Sequence, residues 1–317
     1  MSVAEHRLPQ ASGAPFLTDG GIETTLIYRD GFELPEFAAF DLLRTERGSD
    51  ALRRYYRSFA QIAAARGTGF IYESPTWRAN PDWAARIGYD KHALDSATRA
   101  AIQLLKDVRR EVSIGEPTVL SGCVGPRGDG YRADRKMSRS EASVYHAHQI
   151  ATMAEEGVDM VCAITMNYVE EAIGIADAAF ANDMPVAISF TVETDGRLPT
   201  GHSLQNAISL VDDATDGRVA YYMINCAHPS HLETALDGEG WTNRIRGLRA
   251  NASALSHAEL DEATELDDGD PHDLAERHGT LLSRLPELNI LGGCCGTDER
   301  HVSMVADRCL PLLRKDQ

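Results

Sequence analysis

The chain has 317 residues, and 48 acidic against 31 basic side chains give it a net charge of −17. Such a field repels a phosphate backbone or an anionic membrane surface, so neither nucleic acid nor membrane is expected as a partner. A composition of 43% hydrophobic and 25% charged residues is ordinary for a globular protein and excludes a fibrous or disordered chain. No run approaches the ~20 apolar residues of a bilayer span, and the N-terminal MSVAEHRLPQASGAPF lacks the apolar stretch of a secretory signal. A cytoplasmic protein is therefore expected, with its six cysteines as thiols, metal ligands or nucleophiles rather than disulfides.

The elements alternate almost without interruption. A strand is predicted at 15–19, then, after a long connection (23–50), a helix at 51–66 with Leu52, Tyr55, Tyr56, Phe59, Ile62 and Ala63 at helical spacing. Strand 69–73 precedes helix 96–112, and strand 117–122 precedes helix 138–156, where Ser138 and Glu141 read as a capping box. Strands 158–165, 185–191 and 219–225 are followed by helices 169–182, 203–214 and 231–244. Strand 246–251 (RGLRAN) is the weakest, being hardly apolar; a second long connection (252–270) separates it from helix 271–285. Strand 289–293 and helix 299–313 end the series.

Eight strands each followed by a helix is the count of a single (β/α)8 TIM barrel spanning 1–317, with its active site at the C-terminal face of the strands. A doubly wound sheet would usually carry a glycine-rich phosphate turn after its first strand, and Asp19-Gly20-Gly21-Ile22-Glu23 is not one. The acidic run ELDEATELDDGD in the second long connection reads as a solvated loop.

The strongest local signal is Gly292-Gly293-Cys294-Cys295-Gly296-Thr297 at the end of the last strand. Adjacent cysteines make a strained disulfide, but flanking glycines let them present two sulfurs to one tetrahedral metal. Two thiolates do not complete a zinc site, and Cys226, ending the sixth strand, supplies a third. Singly, each would pass for a small buried hydrophobe, which remains the reading for Cys123, Cys162 and Cys309. His228 and His231 look like ligands three apart, but Pro229 between them argues for a turn with structural roles.

Leu17-Thr18-Asp19-Gly20-Gly21 with Glu23-Thr24, Gly122-Cys123-Val124-Gly125-Pro126, Ser189-Phe190-Thr191, Ile224-Asn225-Cys226 and the GGCCGT segment together resemble the homocysteine S-methyltransferase family over nearly the whole chain. The family's fold is a (β/α)8 barrel. The resemblance implies zinc held by Cys226, Cys294 and Cys295, with the homocysteine sulfur taking the open position. It further implies Asp19 as a partner of the substrate ammonium. Asn251 resembles the asparagine beside the metal in cobalamin-dependent relatives. Asp19 and Asn251 are thus assigned to the reaction itself. Gly20 and Gly21 would let backbone N–H groups approach a carboxylate, and Trp77 would stack on a cationic donor.

Two stretches depart from the family: after strand 69–73, Ser74-Pro75-Thr76 stands where relatives often read T-N-T, and the fourth strand departs as well. Many relatives carry a glutamate after the fourth strand to grip the acceptor's ammonium, where Cys162-Ala163-Ile164-Thr165-Met166 puts Ile164. Glu73 or an acid from the long loops is the expected substitute, and Thr165 completes the expected substrate contacts. The expectation is a zinc-dependent S-methyltransferase that moves a methyl group from a small sulfonium or quaternary-ammonium donor to a thiol. Homocysteine is the favoured acceptor and methionine the product. A different acceptor, or a noncatalytic zinc- or thiol-binding barrel subunit, is the alternative. The donor and the oligomeric state, a homodimer included, stay open at this point.

Overall fold

Each predicted strand forms, and hydrogen bonding joins the eight in sequence order into one closed parallel barrel. They are β1 (Phe16–Leu17), β2 (Gly69–Glu73), β3 (Thr118–Val124), β4 (Met160–Met166), β5 (Val186–Phe190), β6 (Tyr221–Asn225), β7 (Ile245–Ala250) and β8 (Ile290–Gly293). The computed structural model describes residues 8–236 and 239–314. Phe16 lies opposite both Gly69 and Ile290, which closes the ring.

The period-2 alternation of strand side chains sorts the core into two layers. Phe16, Ile71, Val119, Met160, Cys162 and Met223 fill the barrel interior. Their sequence neighbours Leu17, Phe70, Tyr72, Leu120, Val161 and Ile224 face outward into the cluster formed with the helices. Gln10, in a short turn before β1, closes the N-terminal end by donating to the Tyr221 hydroxyl (3.1 Å). The interior is thereby packed from below, and the opposite end is left for a site.

The covering helices include Glu46–Arg66, Lys91–Glu111, Arg139–Glu155, Val169–Phe180, Leu204–Thr215, Pro271–Leu281 and Glu299–Leu313. The first two begin about five residues before the predicted positions. Their N-caps, Thr45 and Asp90, accept from the backbone N–H of Gly48 and Ala93 and so start the helix upstream of its apolar stripe. The Ser138–Glu141 capping box forms as expected. The helix predicted at 231–244 does not: among the described residues this stretch holds only the 3-10 turns Pro229–Leu232 and Gly240–Arg244. Two glycines within DGEG outweigh the apolar spacing of Leu232 and Leu236. In the second long connection, a capping box of Ser256 and Glu259 opens the short helix His257–Glu262.

His278 sets an acid limit on this packing. It is fully buried on Pro271–Leu281, its Nδ1 donates to the Leu274 carbonyl (2.8 Å), and its Nε2 has no partner. Burial lowers its pKa from 6.5 to about 4. Between those values the unfolded chain binds the extra proton and the folded chain does not. Stability present at neutral pH is therefore lost as pH falls through that window, by up to about 3 kcal/mol. Urea unfolding of metal-free protein should show this loss, and His278→Leu should flatten it.

Candidate active site

The three nominated cysteines meet at the C-terminal mouth of the barrel. Cys226 follows β6 with φ at 55°, a left-handed turn that swings its sulfur across towards β8. Cys294 and Cys295 follow β8. The Cys226 Sγ lies 2.6 Å from that of Cys294 and 3.6 Å from that of Cys295. The three atoms all lie within 4.8 Å of one another, and among the described residues they are the one group of this kind. Zn–S bonds of ~2.3 Å keep ligand sulfurs near ~4 Å apart. The Cys226–Cys295 spacing is close to that, and the Cys226–Cys294 contact is shorter and would have to open. It is the chemistry of three thiols that fits a soft divalent metal such as zinc. Hydrogen bonds from Cys226 and Cys295 pull the Cys294 thiol well below its ordinary pKa, and the same contacts hold the other two up. Cys123, Cys162 and Cys309 are buried among apolar groups, and burial pushes each upward.

Asn225 braces this mouth. Its Oδ1 accepts from the Thr165 backbone N–H (2.9 Å) and the Ser189 hydroxyl (2.7 Å), and its Nδ2 donates to the Thr165 hydroxyl (2.9 Å). Thr165 needs the help. It has φ of 63° at a register shift between β4 and β5, where Ile164 is turned into the pocket. Asn225 thus ties a strained turn on one side of the mouth to the ligand Cys226 next to it. Asn225→Ala should lower metal affinity roughly ten- to a hundredfold without removing a ligand; competition with a chromophoric chelator measures it.

Gly20 and Gly21 allow a close approach to the turn after β8. A Cβ on Gly21 would sit 2.5 Å from the Cys294 carbonyl oxygen, and one on Gly20 2.8 Å from that of Thr297. The Gly21 N–H is already engaged by the Thr297 carbonyl (2.9 Å). The turn after β1 therefore lies directly on the Cys294–Thr297 turn.

Asp19 is buried, and each of its oxygens accepts a hydrogen bond. Oδ1 accepts from Arg249 Nη2 (2.5 Å) and Oδ2 from the Tyr55 hydroxyl (3.0 Å). Arg249, on β7, also donates from Nε to the Gly293 carbonyl (3.2 Å). Glu73 stands 3.7 Å from Arg249 Nη1. Burial pushes Glu73 up to about 7 against the pull of Arg249, and burial does the same to Glu23 nearby. Asn251 donates to the Cys226 carbonyl (3.3 Å), while its Oδ1 is buried without a partner beside the sulfurs.

The wall of this cavity, about 400 Å³, holds the three clustered cysteines, Asp19, Glu73, Arg249 and Asn251 together with Trp77. One face of Trp77 already carries a cation, since the Arg78 guanidinium lies 4.0 Å from its ring centre and 3.7 Å from that of Trp83. Two residues not anticipated from the sequence complete the site. The Tyr131 hydroxyl lies 3.1 Å from Cys226 Sγ, and its ring stacks on His257 at 4.1 Å. His257 in turn contacts the Cys226 carbonyl through Nε2 (2.7 Å). Both sit in connections without periodicity; the glycines around Tyr131, in Gly128-Asp129-Gly130-Tyr131, are the one local hint. Asp261, Glu265 and Asp267 of the acidic run line the mouth rather than only facing solvent. His228 caps its own turn through Ser230, and His231 contacts the Ala254 carbonyl (2.9 Å).

Among known proteins, the model of the family described as homocysteine S-methyltransferase matches residues 16–309. A homocysteine S-methyltransferase of Escherichia coli (strain K12) is 23% identical over 271 residues, covering 80% of this chain and 81% of the relative. Crystal structures of the homocysteine methyltransferase MmuM from Escherichia coli share the fold. The metallated form gives a TM-score of 0.72 at 19% identity, covering 93% of this chain and 96% of that one. The oxidized form gives 0.75 at 19% identity, covering 96% and 99%. No described helix is long and apolar enough to cross a membrane.

Proposed function

Since the chain belongs to the homocysteine S-methyltransferase family, we propose that it moves a methyl group from a small sulfonium or quaternary-ammonium donor to homocysteine, giving methionine, with zinc held by Cys226, Cys294 and Cys295. The observation that carries this reading is the convergence of three sulfurs from two strand ends on the wall of one cavity. Zinc bound there would act as a Lewis acid that favours the acceptor's thiolate over its thiol, the three ligand thiolates leaving that thiolate electron-rich. No side chain need act as nucleophile. The acceptor sulfur forms its bond to the methyl carbon as the donor's C–S or C–N bond breaks, and the leaving group departs neutral.

The chain's own residues favour that displacement in three ways. Tyr131 covers the sulfurs and limits water there. Asn251 Oδ1, lacking any partner, points to a role beside the metal. The acids lining the cavity mouth, Glu36, Asp129, Asp261, Glu265 and Asp267, set a negative field suited to a cationic donor.

The test is incubation of zinc-loaded protein with a panel of thiols and onium donors, with products identified by mass. Methionine from homocysteine and an onium donor is expected. Failure of every donor to methylate any thiol would leave a noncatalytic zinc- or thiol-binding barrel instead.

A further inference from the structure

Below the sulfurs, the floor of the cavity carries an unusual pair of unsatisfied charged atoms. Arg249 is 6% exposed and projects from β7 into the barrel, between the outward-packed Leu248 and Ala250. Two edges of its guanidinium are committed, Nε to Gly293 and Nη2 to Asp19. Its Nη1 has no acceptor in hydrogen-bond reach, and the nearest carboxylate oxygen, Glu73 Oε2, is 3.7 Å away. Glu73 is 5% exposed, and its Oε1 accepts no well-formed hydrogen bond, with the Ser121 hydroxyl the neutral donor beside its carboxyl. Native interiors seldom leave such groups unpaired, and at a cavity wall a ligand group can supply the missing partner. Here the two missing partners have opposite charge: an anion for Arg249 and a cation for Glu73.

Asp19 is the less open of the two acids, because each of its oxygens already accepts a hydrogen bond, one from Arg249 and one from Tyr55. Ile164, turned inward on the β4 bulge, offers only apolar surface. The head of an α-amino acid carries an anion and a cation on one carbon and fits a floor of this kind.

We propose that Arg249 and Glu73 together read the acceptor's α-amino-acid head, Arg249 taking its carboxylate through Nη1 and Glu73 its ammonium through Oε1, while Asp19 fixes Arg249 in place. The assignment rests on the methyl-acceptor reading above, since it is the thiol at the cysteine cluster that brings the head to this floor.

The experiment is calorimetric binding to zinc-loaded protein of homocysteine, 4-mercaptobutyrate (no ammonium) and 3-mercaptopropylamine (no carboxylate). A charge-assisted hydrogen bond separates each analogue from homocysteine, so each should bind roughly ten- to a hundredfold more weakly. In Glu73→Gln, which keeps the shape, homocysteine should lose its advantage over 4-mercaptobutyrate and keep that over 3-mercaptopropylamine. In Arg249→Lys the opposite advantage should shrink, because the fork is lost while the charge stays. Zinc content and melting temperature report whether each variant has folded. Equal binding of all three thiols to the unaltered protein overturns the head-group assignment alone. So does an ammonium preference that survives Glu73→Gln and vanishes in Glu23→Gln or Asp19→Asn. If no thiol binds to the zinc-loaded protein, the acceptor reading itself falls with it.

Discussion

Cys295→Ala should strip the purified protein of its metal and abolish methyl transfer together. The unaltered chain should carry about one zinc, because three thiolates and one exchangeable position are the usual catalytic set. Removing one leaves two sulfurs, too few to retain the ion against a competing chelator. The fold should survive, since Cys295 lies in a turn beyond β8 and is only partly buried, so far-UV circular dichroism should not change. Elemental analysis of both proteins decides the matter: full zinc occupancy in the variant would sink the ligand assignment. The same chemistry gives a pH dependence. Thiolates must be deprotonated to bind, so metal should be released progressively as pH falls.

How much of this was legible in the sequence follows from which signals are local. The strands were readable because each is a short buried run ended by glycine or a polar residue, and β7 nearly escaped because Arg249 reads as polar text. In the barrel it is an inward-facing core residue whose charge is matched by Asp19 just after β1 and Glu73 on β2, both far from it in the chain. No spacing rule could pair them. The cysteine triad was readable because GGCCG restricts its own geometry, and the bend at Cys226 completes it. Tyr131 and His257 were invisible for the converse reason: Tyr131 lies in an aperiodic loop and His257 opens one short helix inside a long connection, and their roles exist only through contact with the Cys226 sulfur and carbonyl. The false helix at 231–244 shows the limit of periodicity, since apolar spacing was present and two glycines defeated it.

Asp19→Ala should unfold the protein far more readily than a lost substrate contact would. The substitution leaves Arg249 buried with Glu73 as its one nearby carboxylate, at 3.7 Å and without a hydrogen bond. Breaking a buried pair from one side typically costs about 3–5 kcal/mol, mostly because the remaining charge is uncompensated. Urea unfolding should show a loss of that order, and zinc content should fall with it, because the turn holding Asp19 lies directly on the Cys294–Thr297 turn. The double variant Asp19→Ala, Arg249→Met separates the causes. With no guanidinium left to neutralise, much of the single variant's loss should be recovered, a coupling expected for residues in contact. Glu73 does not spoil the recovery: burial already holds its pKa up near 7, so it can take a proton once Arg249 is gone. Recovery of stability without recovery of homocysteine binding would assign Asp19 to the support of Arg249 and Arg249 to the acceptor. Equal instability of the single and double variants would instead mean that Asp19 holds the mouth through Tyr55 rather than through the ion pair.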